Sequence, residues 1–61
     1  MSDLHRAQAD MEQIQERLAI INEELKGSIP FQIRIKRMAE RAKLRTQLSA
    51  FEWLVNELRA G

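Results

Sequence analysis

The stretch LHRAQADMEQIQERLAIINEEL, residues 4–25, decides the fold. Its apolar positions are Leu4, Ala7, Met11, Ile14, Leu18, Ile21 and Leu25, spaced alternately by three and four. Leu4, Met11, Leu18 and Leu25 form one row of a heptad seam, and Ala7, Ile14 and Ile21 form the other. So narrow a stripe predicts a helix lying along another helix in coiled-coil-like packing. Good helix formers fill the positions between. Ser2 or Asp3 is placed to cap the start, and an acidic residue there suits the positive end of the helix dipole. Lys26 and Gly27 mark the end: a cation at the negative pole, then the residue best able to take a left-handed stop. The sequence thus predicts a helix over about residues 3 to 26.

Outward from this stretch, Gly27-Ser28-Ile29-Pro30 is the one turn signal. Ser28 is a candidate cap for the next helix, and Pro30 is tolerated in a first turn because its missing N–H has no partner there. A connection this short makes consecutive helices antiparallel neighbours. The expected fold class is all-α: one domain over residues 1–61, an antiparallel helical hairpin dimerising into a four-helix bundle.

The second helix, about residues 31 to 60, is less uniform. Leu44, Leu48, Phe51, Val55 and Leu58 form a second seam. Continued backwards, that seam meets Arg41, Arg37 and Arg34. The apolar side of the first half is instead Phe31, Ile35, Met38, Ala39 and Ala42, roughly opposite at 100° per residue. Either one long helix buries different faces at its two ends, or a break near Lys43 to Thr46 divides it. Ser49 and Glu52 match a capping box that would restart a helix, or else Ser49 is an ordinary mid-helix serine facing outward. The alternation of Ile29, Phe31, Ile33 and Ile35 with Gln32, Arg34 and Lys36 also has the period of a half-buried strand. Locally it resembles the strand of ribbon-helix-helix DNA-binding proteins. About nine residues between Ile35 and Thr46 leave no room for that family's next helix and turn, so the helix is preferred.

Size and composition point to a partner. A chain of 61 residues without cysteine has neither disulfides nor a thiolate metal site to reinforce a small core. No secretory signal is visible and no apolar run approaches the roughly 18 residues of a membrane span, so a cytoplasmic location off the membrane is expected. The last segment carries Ala50, Trp53 and Leu54 besides its seam, more apolar surface than one neighbouring helix covers. The expected oligomer interface is Phe51, Trp53, Leu54, Val55 and Leu58, with a homodimer favoured over a different protein partner. Trp53 is either an interface anchor or partial cover over the hairpin core. The outline resembles the Rop family of RNA-binding hairpin dimers and small hairpin co-chaperones of bacterial secretion systems. Both likenesses are of length and helix count, and they imply architecture alone.

The net charge of +1 conceals segregation. Residues 1–26 carry −3, residues 31–45 carry +5 and residues 46–61 carry −1. Arg34, Arg37, Arg41 and Arg45 share one helix face, widened by Lys36 and Lys43. Such a ridge has two readings. It can follow phosphates or an acidic partner, or it can match the acidic first helix, where Asp10, Glu12, Glu16, Glu23 and Glu24 reside, and set register. Stacking aromatics beyond Phe31 are lacking, which argues against unpaired bases. His5 is the single histidine and has no carboxylate or cysteine at ligand spacing. Glu23 and Glu24 diverge around the helix and make no acid/base pair. Met11 and Met38 read as gap-filling residues. No nucleophile–base set, metal cluster or cofactor loop can be assembled, so the expected function is non-enzymatic, without cofactor or metal. A protein-interaction or regulatory module is the first reading, and a small nucleic-acid-binding regulator is the second.

Overall fold

The computed structural model describes residues 2–61. Ser2 starts the first helix: its Oγ accepts from the backbone N–H of His5 at 3.2 Å, satisfying one of the free donors of the first turn. Helix α1 then runs over Asp3–Lys26, with Asp3 at its positive end and Lys26 at its negative end. Helix α2 runs over Phe31–Ala60 without interruption. The two pack side by side as an antiparallel hairpin measuring 46 × 16 × 14 Å. The unbroken α2 disposes of both the strand reading around Ile33 and the break near Lys43 to Thr46. The hydroxyl of Thr46 donates to the Ala42 carbonyl at 3.2 Å, an ordinary intrahelical contact.

The turn differs in detail from the sequence reading. Gly27 has φ −86° and ψ 179°, extended backbone open to any residue, so no left-handed stop is used. Ser28 does not cap α2. Pro30 occupies that position and makes no side-chain cap. The end of α1 is closed from α2 instead: the Arg34 guanidinium donates to the Leu25 carbonyl at 3.0 Å and to the Gly27 carbonyl at 3.1 Å. A long forked donor one turn into α2 reaches the free acceptors at the end of α1, which a serine hydroxyl beside them does not.

The two rows of the α1 seam are not equivalent. Ala7, Ile14 and Ile21 are buried, with Ile21 wholly inaccessible, whereas Leu4, Met11, Leu18 and Leu25 are half-buried. From α2 only Val55 joins the buried set. Leu44, Leu48, Phe51 and Leu58 flank it half-buried. Among the described residues, four buried side chains make a thin core for a chain of this length. Among the described residues no helix is long and apolar enough to cross a membrane.

Candidate interaction surface

A straight helix presents one face to its neighbour, and α2 presents the arginine side. Arg34, Arg37 and Arg41 continue the Leu44–Leu58 seam inward and are half-buried against α1. Arg37 donates through Nε to Glu24 at 2.6 Å, and Arg41 donates to the Asn22 side-chain oxygen at 3.4 Å. Phe31, Ile35 and Met38 consequently face away from α1, with 73%, 50% and 47% of their surface exposed. Different faces are therefore not buried at the two ends. Five half-buried or buried carbon side chains from Leu44 to Leu58 set the helix rotation. The arginines follow because their aliphatic stems tolerate an apolar seam while their heads reach polar groups at its edge.

A further ion pair crosses the hairpin with the signs reversed. Arg17 on α1 meets Glu40 on α2 through two contacts of 2.8 and 3.0 Å, a forked arrangement that favours arginine over lysine. The two hydrogen bonds from Arg17 hold the Glu40 carboxyl below its ordinary pKa, and Glu40 in turn raises that of Arg17. Arg37 approaches Glu40 at 4.0 Å and links this pair to Glu24. Sequence reasoning passed over Arg17–Glu40 because it compared whole segments, acidic against basic. The available signal was that Glu40, the one acid between Phe31 and Arg45, falls on the inner face of α2.

The other basic residues behave differently. Lys36, Lys43 and Arg45 are exposed and make no ion pair among the described residues. Of the five residues expected at an oligomer interface, Val55 is spent within the hairpin, and Phe51 and Leu58 are half-buried beside α1. Trp53 and Leu54 remain open, 66% and 38% exposed. Trp53 lies on the same side of α2 as Phe31, Ile35 and Ala42, so the continuous helix joins two apolar features that looked separate into one strip.

The remaining polar candidates are local. His5 Nδ1 lies 3.1 Å from the Ser2 hydroxyl at the start of α1. Glu23 pairs with Lys26 at 3.0 Å, one turn along the same helix. Ser49 and Glu52 are exposed within α2 and mark no restart. Among the described residues no three His, Asp or Glu side chains gather as a metal site. Beside the open end of the hairpin, Met11, Gln15, Glu52, Asn56 and Arg59 line a groove open to solvent. Compared with known proteins, the chain matches no family model, no curated protein and no solved structure.

Proposed function

We propose that this chain is a non-enzymatic interaction module, a helical hairpin that self-associates and then serves a protein partner. The carrying observation is the apolar strip on the far side of α2, where Phe31, Ile35, Met38 and Trp53 are each about half exposed or more. An apolar strip in water at this density marks an association surface. The thin core supports the same reading. So does the total area: the hairpin exposes 4782 Å² at 7.2 kDa, where a compact monomer of that mass exposes about 4100 Å². Sedimentation equilibrium across a wide concentration range tests the reading. A mass of twice 7.2 kDa is expected, and a fully helical monomer at tens of micromolar sinks it.

Lys36, Lys43 and Arg45 favour a second reading, contact with nucleic acid, because they are exposed cations without partners along one stretch of helix. Fluorescence anisotropy against duplex DNA and structured RNA tests it. Affinity should fall steeply with salt and be lost in Lys36→Glu/Lys43→Glu. Absence of binding at low salt rejects it.

A further inference from the structure

The outward side of α2 has an order of its own. Phe31, Ile35, Met38 and Ala42 are spaced by four, three and four, and Ala42, Thr46, Ser49 and Trp53 repeat that spacing. Eleven residues in three turns, about 3.67 per turn, keep such a strip almost parallel to the helix axis. All seven side chains are exposed. Bulk is concentrated at the two ends, and Ala39, Ala42, Thr46, Ser49 and Ala50 leave the middle low.

We propose that this strip is a self-recognition surface: a second copy docks on it through the same strip, with the two α2 helices antiparallel and crossing at Ala42. The proposal rests on the self-association reading and names the face that carries it. A two-fold axis at Ala42 sets Phe31 against Trp53 of the second copy, Ile35 against Ser49, Met38 against Thr46 and Ala42 against itself. Large aliphatic groups thus meet small ones, as an isologous contact requires. Parallel pairing would instead crowd Phe31, Ile35 and Met38 against their own counterparts and leave hydroxyls facing hydroxyls. The low middle lets the axes approach toward the close end of the usual 8–10 Å range. Thr46 is no obstacle, because its hydroxyl already donates to the Ala42 carbonyl at 3.2 Å and needs no water.

Area and charge also bear on the occupant. Phe31, Ile35, Met38 and Trp53 leave on the order of 450 Å² exposed per copy, over half of the ~800 Å² per partner in a standard stable interface. The small residues and flanking stems supply the rest. The axis brings Glu52 of the second copy beside the flank of Arg34, but it also brings Lys43 and Arg45 near their own counterparts at the crossing. Those rim repulsions are weak beside the apolar contact and are screened by salt. Attractive and repulsive rim contacts are equal in number and are screened together, so the dimer changes little with salt, whereas binding to phosphate or to an acidic helix loosens steeply. In this arrangement α1 of each copy lies on the outside, presenting Glu12, Glu16 and Glu23 to other partners.

The test is sedimentation equilibrium of wild-type protein and Ala42→Glu at low and moderate salt, with circular dichroism as the folding control. Ala42 is exposed in the hairpin, so the variant keeps its helicity. Two buried carboxylates on the axis weaken dimerisation about a hundredfold or more. As a second readout the chain has no native cysteine, so oxidised Ala42→Cys should form a covalent dimer while Ser49→Cys, which faces Ile35, should not. A wild-type dimer that survives Ala42→Glu, or that loosens steeply with salt, overturns this face and leaves self-association standing. A monomeric wild type overturns both.

Discussion

Helix α1 carries an apolar seam from end to end, but α2 answers it in two ways. From Phe31 to Lys43 it meets the first helix and its end with Arg34, Arg37, Glu40 and Arg41, each bonded to a named group there. From Leu44 to Leu58 it meets α1 with carbon. The first half lies beside the turn, where the short connection already holds the helices together, so directional contacts that align them are sufficient. The second half lies at the open end, where nothing covalent prevents fraying and non-directional burial must hold the pair. Half-exposed ion pairs contribute little net energy but penalise wrong registers. Position along the hairpin thus divides alignment from adhesion.

The sharpest way to break this comparison is in the core. Ile21 is wholly buried, yet it lies in the ionic half, bracketed along α1 by the Arg17–Glu40 and Glu24–Arg37 contacts. If arginine stems seal it, Ile21→Ala costs about 2–5 kcal/mol. Val55→Ala in the carbon half should cost less, about 1.6 kcal/mol from two lost methyl groups. Urea unfolding of both variants at one protein concentration decides the order. A smaller loss at Ile21 would show that the ionic half is open to water.

Arg34 comes next. Its guanidinium holds two carbonyls at the end of α1, so Arg34→Ala should cost about 1 kcal/mol. The loss should be local, read as faster amide exchange around the last turn of α1. Arg34→Lys should restore little, because one ammonium does not reproduce the fork.

Gly27 tests the turn with the opposite sign. Its backbone is extended, and an added Cβ would lie 3.6 Å from the Glu24 carbonyl, ordinary contact. Gly27→Ala should therefore stabilise by about 0.4–1 kcal/mol through the unfolded chain. A loss instead would restore the left-handed stop that the sequence suggested. Glycine after a lysine at the end of a helical pattern usually has that meaning, and here Arg34 from the next helix removes the need for it.

The same contrast explains what was legible. The whole of α1 could be read from its seam, since one residue set satisfies both helix propensity and packing. The unequal burial of its two rows could not, because periodicity is blind to which row the partner sits above. The hairpin followed from residues 27–30. The orientation of the first half of α2 did not, because Phe31, Ile35 and Met38 look more like a core face than three arginines do. Rotation is settled far along the same helix, at Leu44 to Leu58, and a straight helix carries it back. The candidate surface was hidden for the same reason: Phe31 and Trp53 belong to one strip only when α2 is unbroken.

The mildest test concerns Arg17 and Glu40, and its sign is fixed by the direction of the shift. Hydrogen bonding from Arg17 comes first among the causes that lower the Glu40 pKa in the folded state, opposed by desolvation and aided by the charges of Arg17 and Arg37. The folded protein then binds fewer protons at this group than the unfolded chain does. Its contribution to stability is fully present above the ordinary glutamate value of about 4.5, declines as pH falls through that region, and is gone below the folded value. The raised Arg17 value adds nothing in the accessible range, since that guanidinium stays charged throughout. Other carboxylates titrate in the same window, so wild type must be compared with Glu40→Gln at each pH and at one protein concentration. The gap in Tm should favour wild type at pH 7 and close toward pH 3. Because the pair is only half-buried, the gap should be small and should shrink with salt at neutral pH. A gap that stays constant into acid would mean that Glu40 acts by packing rather than by charge. The ionic half would then adhere by the same means as the carbon half, and the distinction between the two halves of α2 would fall.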